Sequence, residues 1–588
     1  MQTSPISRTK NWAILYGIAQ FLVGVVDSKA RPEHSEGIKQ SGGLFYRAWE
    51  SPLYSRCIRF GCRWNINLLN SIHISSGRRW NLNISNLNES HLTFKDFKLR
   101  APYLYSLIFP LGYDIFLETK TIQEETIMKK IRFYIAILAA KLSLLGLKLL
   151  GRNASFLPGI IALTLDKNFI GHLTKPKTVI AVTGTNGKTT VSNLIASILT
   201  ENGYVVTNNA IGSNVQAGIA ACLLQDSTLT GKPKRNIAVL EVDERSSLRI
   251  YPELQPDYLV CNNIMRDSLK RNAHTEFISF IINEALPEKT TLILNADDLI
   301  CSILGPKNSN RVYFGIDANR PASTDPQYVQ DIVYCPECGA LLEADYLRYN
   351  HIGRMHCTNC AFASPAPDFI VSNIDLDKNT FTVRHDDKEE TFNLINDNIV
   401  NVYNFCGAIA LLTTLGLTYE QIAKGFSASK IVKTRYDHIS AGKFEITMQL
   451  AKGQNPIACA RCYSYVSKCP GDNKTIIIMV DDKGDNNGNS ESTCWLYDCD
   501  YSYLKHPSIG QIIFAGPRCK DQYLRALIAG IDPNKIALTE SFTGGTDLLN
   551  TAACKDIFVL YDPYLLAEAS TVKRKLIEMG TEAEENGC

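Results

Sequence analysis

Thr178-Val-Ile-Ala-Val-Thr-Gly-Thr-Asn-Gly-Lys-Thr-Thr190 decides how the rest of this chain is read. Val179 to Val182 is a short apolar run with the composition of a buried strand. It stops at a turn bearing Gly184 and Gly187, after which Val191, Leu194, Ile195 and Ile198 recur at helical spacing. Strand, glycine turn and helix, in that order, make a phosphate loop. Gly184, Thr185, Asn186 and Gly187 form the turn, whose glycines let backbone amides aim at phosphate oxygens. Lys188 puts a cation on the β- and γ-phosphates, the Thr189 hydroxyl suits Mg²⁺, and Thr190 opens the helix. Valine stands at position 182, where the general template has glycine. The expectation is a nucleoside triphosphate site.

Two other patterns carry chemistry. Leu240-Glu-Val-Asp-Glu244 places carboxylates at the end of an apolar strand, and Glu241 and Glu244 are the candidates for Mg²⁺ and the reacting phosphate. Cys335-Pro-Glu-Cys338 and Cys357-Thr-Asn-Cys360 are two CxxC knuckles eighteen residues apart, the spacing of a four-cysteine Zn²⁺ ribbon. A redox role needs one such pair at a helix start after a strand, which this pairing does not offer. His351 and His356 lie inside the module and are expected to be exposed, because four cysteines already fill the shell.

The stretch Thr183-Gly-Thr-Asn-Gly-Lys-Thr-Thr190 resembles the nucleotide loop of the Mur ligases and folylpolyglutamate synthases. That resemblance implies ATP-dependent activation of a carboxylate as an acyl phosphate, followed by capture by a nitrogen nucleophile. It also assigns nucleotide roles: Asn295 and Asp298 in Asn295-Ala-Asp-Asp298 on the adenine side, Asn404 in Asn401-Val-Tyr-Asn404, and Arg435 at the ribose or phosphates. Adding the cysteine module, with Tyr346, Tyr349, Ile352, Gly353, Asn263, Arg266-Asp267 and Arg271, the chain is similar to the MurT subunit family of lipid II isoglutaminyl synthase from about Met128 to near the C-terminus.

What that resemblance implies is specific. The subunit amidates the α-carboxyl of D-glutamate in lipid II to D-isoglutamine, with ammonia from a class I glutamine amidotransferase (GatD-like) partner. An aspartate of the last domain completes the partner's Cys-His pair. Asp485 in Val480-Asp-Asp-Lys-Gly-Asp-Asn-Asn-Gly488 is the first choice, with Asp482 and Asp498 as fallbacks, because this loop is about three residues longer than the family pattern. Lys270 and Thr434 also depart from that pattern. The rival expectations are a stand-alone Mur-type amino-acid ligase and a catalytically decayed, zinc-bearing nucleotide-binding module.

Composition sets the frame. The 588 residues suffice for three or four domains, and 61 basic against 59 acidic residues argue against a dedicated nucleic-acid binder. The 18 cysteines, scattered apart from the knuckles, suit a reducing cytoplasm, with peripheral attachment at the inner face of the plasma membrane as a further expectation. Cys459 and Cys462, with Cys469, are read as reduced thiols rather than a second metal site.

The expected fold class is α/β. Residues 175–430 form a Mur-ligase-type central ATPase domain with a mostly parallel sheet, interrupted by the ribbon at 331–365. Residues 436–588 form a smaller Rossmann-like α/β domain that contacts the glutaminase partner. Residues 128–174 form a basic helical segment, which either lies on the membrane surface or packs on the ATPase domain. Residues 1–127 fit poorly: Asn11 to Val26 is a short apolar run, and translation is expected to begin at Met128.

Overall fold

The computed structural model describes residues 128–210, 213–267, 272, 274–317, 329–394, 399–428, 436–451, 455–481 and 492–585. Residues 1–127, Lys270, Arg271, Thr434, Arg435, Asp482 and Asp485 lie outside the described residues, with the readings that fall on them.

Among the described residues, nine strands form the first sheet, in the order β11-β10-β9-β6-β5-β4-β1-β3-β2. These are β1 (Thr178–Thr183), β2 (Val206–Asn208), β3 (Ile237–Glu241), β4 (Tyr258–Cys261), β5 (Thr291–Asn295), β6 (Arg311–Ile316), β9 (Phe369–Asp375), β10 (Thr380–His385) and β11 (Lys388–Asn393). The sheet runs parallel from β2 across to β9, and only the β9–β10 and β10–β11 pairs are antiparallel. A parallel sheet is covered on both faces, so its strands read as continuous apolar runs, and β1 is buried over five of six positions.

Alternation along β1 divides the core in two. Ile180 and Val182 pack with Val191, Leu194, Ile195 and Ile198 of the Lys188–Glu201 helix and with Phe405 and Ile409 of the Ile399–Thr414 helix. Val179 and Ala181 face the other side, with Ile219, Ile250 and Ile278 from three further helices. Each such aliphatic side chain contributes about 1.5–3 kcal/mol on full burial. That layer also receives Phe133, Ala136, Ile137 and Ala140 of the helix 128–149. One face of that helix therefore packs on the central sheet; its opposite face is exposed. No helix among the described residues is long and apolar enough to cross a membrane.

The cysteine module leaves the sheet after β6 and returns as β9, which pairs with β6, so the insertion does not break the sheet. Its hairpin is β7 (Leu342–Tyr349) and β8 (Ile352–Cys357), antiparallel. A second sheet holds β12 (Tyr436–Ala441), β13 (Phe444–Leu450), β14 (Lys474–Met479), β15 (Ile509–Ala515), β16 (Ile536–Thr539) and β17 (Asp556–Tyr561), in the order β12-β13-β17-β14-β15-β16. Only the β12–β13 pair is antiparallel. Ile476 and Ile478 face one core layer there, and Ile477 and Met479 the other.

Candidate active site

The phosphate loop leaves β1 at the carboxyl edge of the first sheet, between the ends of β3 and β4. Its two glycines are fixed by conformation and by space. Gly184 (φ +119°) and Gly187 (φ +90°) adopt values that L side chains avoid. A Cβ on Gly187 would stand 2.1 Å from Asn404 Oδ1, and one on Gly184 2.8 Å from the Asn263 carbonyl oxygen. Asn263, just beyond β4, holds the loop: its carbonyl accepts from the Thr185 N–H at 2.8 Å and its Oδ1 from the Asn186 N–H at 2.9 Å. Thr185 Oγ1 accepts from the Met265 N–H at 2.8 Å and donates to the Met265 carbonyl at 3.0 Å.

Four groups named from the sequence converge here. Lys188 Nζ donates to the Gly184 carbonyl at 2.5 Å and to Glu244 Oε1 at 2.7 Å. Thr189 Oγ1 donates to Glu241 Oε2 at 2.7 Å, while Asn214 Nδ2 fixes the other Glu241 oxygen at 2.9 Å. Burial alone would lower the Lys188 ammonium, but Glu244, with Glu241 and Asp243 behind it, outweighs this and holds it above its ordinary value. Burial pushes the Glu244 carboxyl the other way from its partner's influence, upward, with Lys188 opposing. The lysine is thus a cation held over the loop by a carboxylate. Thr190 sits half-buried in the first turn of the helix, which has Gly187 as its N-cap and no side-chain cap.

Asparagines brace the loop from behind. Asn404 Oδ1 accepts from Asn262 Nδ2 at 2.7 Å, and Asn401 Oδ1 accepts from Asn404 Nδ2 at 3.2 Å. Asn295 Nδ2 donates to the Asn262 carbonyl at 2.9 Å. Asp298 is fully buried: it accepts from the Ile300 and Cys301 N–H groups, each at 3.0 Å, and from the Ile264 N–H at 2.7 Å. Asn262 was missed by sequence reasoning. The signal was there, because a polar pair directly after a buried parallel strand next to β1 must lie at the same carboxyl edge.

The four cysteine sulfurs lie within 4.8 Å of one another, with Cys335–Cys360 at 3.6 Å and Cys338–Cys357 at 3.4 Å. Zinc–thiolate bonds of about 2.3 Å in a tetrahedron put the sulfurs about 3.8 Å apart, and a disulfide needs about 2.05 Å. The Asn359 N–H reaches Cys357 Sγ at 3.3 Å, and such amides hold that thiol down to about 6. The donor set fits Zn²⁺. Among the described residues it is the one cluster of three or more His, Cys, Asp or Glu side chains placed so that it could hold a metal ion. Cys459 and Cys499 are buried, which raises their thiols, and Cys462 Sγ accepts from Gln449 Nε2 at 3.0 Å.

The expectation of two exposed histidines fails at His351. His356 is half-buried, its side chain 46% exposed, but the hairpin turn delivers His351 into the protein, where it is 2% exposed. Its Nε2 stands 3.2 Å from Asp298 Oδ1 and its Nδ1 3.4 Å from Asp331 Oδ2. Burial would lower the imidazole, but Asp298 and Asp331 outweigh it and raise His351 to about 10. Asp331 also pairs with Arg266, whose Nη1 is 3.4 Å from Asp498 Oδ1 in the second α/β unit. A run of charges therefore links the Asn295–Asp298 turn, the ribbon and the C-terminal sheet. Asp498, one of the fallback aspartates, is its last member.

The Mur ligase middle domain family matches residues 182–412, and the MurT ligase C-terminal family matches residues 452–562. Over 403 residues the chain is 31% identical to lipid II isoglutaminyl synthase (glutamine-hydrolyzing) subunit MurT of Staphylococcus aureus, covering 68% of this chain and 89% of that one. The chain belongs to the MurT family. It is 29% identical over 431 residues to the Streptococcus pneumoniae protein of the same name, covering 72% of this chain and 93% of that one. The pseudomurein peptide ligase type C of Methanothermus fervidus shares the fold, with a TM-score of 0.53 at 20% identity over 70% of this chain and 81% of that one. In this chain the middle-domain match ends within the Ile399–Thr414 helix, and the Tyr419–Ala428 helix lies in sequence between that helix and the second sheet.

Two outcomes test this geometry. His351 carries a folded-state value above its unfolded value of about 6.5, so its stabilisation is present below pH 6.5 and is lost as pH rises towards 10. The melting-temperature advantage of the native protein over His351→Gln should therefore shrink across that window, and an advantage constant with pH would contradict a buried imidazolium. Elemental analysis should find about one zinc per chain, and Cys357→Ser with Cys360→Ser should remove it and expose residues 331–365 to protease.

Proposed function

We propose that this chain is the ATP-dependent ligase subunit of a lipid II amidating complex, which converts the α-carboxyl of D-glutamate to D-isoglutamine with ammonia from a class I glutaminase (GatD-like) subunit. The observation that carries this reading is the convergence of Lys188, Glu244, Thr189 and Glu241 on a glycine loop at the carboxyl edge of β1. Bound ATP supplies the γ-phosphoryl group that turns a carboxylate oxygen into part of a leaving group.

Each residue has a physical task. The Gly184–Gly187 turn and the uncapped first turn of the helix offer amides to phosphate oxygens. Lys188 neutralises charge on the transferring phosphoryl, and Glu244 keeps that ammonium over the loop between turnovers. Thr189 and Glu241 offer two oxygens to Mg²⁺. Asn295, Asp298 and Asn404 hold the pocket wall in place, and Arg435 is proposed at the ribose or phosphates.

The acceptor carboxylate oxygen attacks the γ-phosphorus and ADP leaves. Ammonia then attacks the acyl carbon, phosphate departs with the former carboxylate oxygen, and nitrogen gives up a proton. Domain roles follow the two sheets: 175–430 for phosphoryl transfer, 331–365 for zinc, and 436–588 for the glutaminase contact. Asp485 is proposed to orient the partner's imidazole. In sequence it follows Met479, which ends β14, and the buried Asp481, and the carboxyl ends of strands are where α/β sheets place functional residues.

Lys188→Ala should lower glutamine-dependent conversion of lipid II glutamate to isoglutamine by at least about 10³-fold, the size expected for loss of a preorganised charge in phosphoryl transfer. Asp485→Asn should impair that conversion with glutamine but spare it with ammonium chloride. Equal loss with both nitrogen sources would remove Asp485 from the partner's triad. Gly187→Ala should abolish ATP binding measured by calorimetry, because backbone strain of about 1–3 kcal/mol adds to the clash with Asn404.

A further inference from the structure

The helix 128–149 is apolar on two opposite faces, and the protein covers only one of them. Phe133, Ala136, Ile137 and Ala140 are buried against the central domain, and Leu147 further along the helix is buried too. Lys141 fastens the same side, donating to the Leu224 and Ser227 carbonyls at 2.8 and 2.6 Å. Opposite them, Ile131, Ile135, Leu138, Leu142, Leu145 and Leu149 are exposed, Leu142 at 61% and Leu149 at 80%. Their spacing alternates four, three, four, three and four residues, which keeps them in one stripe for about 27 Å of helix at 1.5 Å per residue. Because the other face is fastened, the stripe cannot roll inward. A helix that is hydrophobic all round is ordinarily enclosed. An apolar stripe of this length left in water marks a surface that meets something.

Charge selects the partner. Residues 128–165 contain no Asp or Glu, while Arg132, Lys141, Lys148 and Arg152 are basic. At 100° per residue, Arg132 falls on one border of the stripe and Lys148 on the other. Two copies of this chain joined stripe to stripe would set cations beside cations along the seam, with no acid in the segment to offset them. An apolar face bordered by cations and free of acids matches an anionic bilayer, whose acyl boundary accepts the leucines while its headgroups accept the exposed Arg132, Lys148 and Arg152. We propose that the Ile131–Leu149 stripe is a docking surface for anionic membranes, on which the protein lies without crossing the bilayer. The purpose of the surface, bringing the loop at 184–190 to a lipid-linked acceptor, rests on the function proposed above; the surface itself does not.

The test is flotation of the full chain with vesicles free of any substrate, either phosphatidylglycerol in phosphatidylcholine or phosphatidylcholine alone. The expected result is flotation with the anionic vesicles that weakens as salt is raised. It should fall at least tenfold in a Leu138→Glu/Leu142→Glu/Leu145→Glu chain whose melting temperature and ATP binding are unchanged. Lys148→Glu with Arg152→Glu, which leaves the apolar face whole, should reduce flotation and flatten its salt dependence. Failure of the native chain to float with anionic vesicles overturns the proposal, because the stripe is then covered by something else in the intact protein. Flotation unchanged in the triple variant overturns it too, as does a triple variant that differs from native only in oligomeric state. A native chain that floats but binds no ATP would sink the ligase reading and leave the surface standing.

Discussion

β1 is hydrogen-bonded along both edges and covered on both faces, and the site depends on that enclosure. A strand held by β3 and β4 has no freedom to shift register without turning its buried side chains to the wrong layer. The turn that follows it is therefore placed with the accuracy of the core rather than of a loop. Parallel pairing then brings the ends of β3, β4 and β5 to the same edge, which is why Glu241 and Asn263 meet the loop, and Asn295 the neighbouring Asn262, although they are far apart in sequence. The close approach of Gly187 to Asn404 adds the helix beginning at Ile399 to the same assembly. Few alternatives remain to the backbone there, and a charged ligand meets groups already in position.

The second organising element is electrostatic. Asp298, His351, Asp331, Arg266 and Asp498 form a run of alternating charge, largely buried at its centre and open at Asp498. Removing one partner from such a run leaves an uncompensated buried charge, which costs more than the pair itself contributes. The run therefore specifies position. It ties the ribbon hairpin to the turn after β5, reinforced by the Gly353 N–H donating to the Asp297 carbonyl at 2.8 Å. It also ties the strand-4 loop to the short helix Trp495–Asp498 of the second α/β unit. The four-cysteine hairpin thus grips the Asn295–Asp298 turn, so a metal held by the cysteines would support that turn rather than take part in chemistry at the loop.

The fold and the loop were legible because their signals are local. An apolar run, two glycines at a turn and a 3.6-residue repeat each occupy a few consecutive residues, and the cysteine spacing encodes its own tetrahedron. Lys188 with Glu244 and Thr189 with Glu241 were likewise recoverable, since strand ends in a parallel sheet share an edge. What could not be read is what two distant segments do jointly. His351 sits in a polar hairpin turn between two exposed-looking strands, and nothing nearby shows that Asp298 and Asp331 wait 53 and 20 positions away to bury it. The helix 128–149 failed to resolve for a related reason: both of its faces are apolar, so its sequence does not say which one the protein keeps.

The two-faced helix also bears on how the site is used. A soluble helix that only needed to pack would carry polar residues opposite Phe133 and Ile137, and six aliphatic side chains in water weaken solubility without adding to the core. The contact proposed above, with a surface that is apolar within and anionic at its edge, would account for these side chains standing beside cations. The helix is anchored to the same layer that backs β1 through Val179 and Ala181. Any plane it rests on is thereby held at a fixed distance and tilt from the carboxyl edge of the sheet. An acceptor attached to that plane would not need to be captured from solution; it would diffuse in two dimensions past a loop already facing a set direction, and orientation of the acceptor would be supplied by the surface rather than by a separate binding domain.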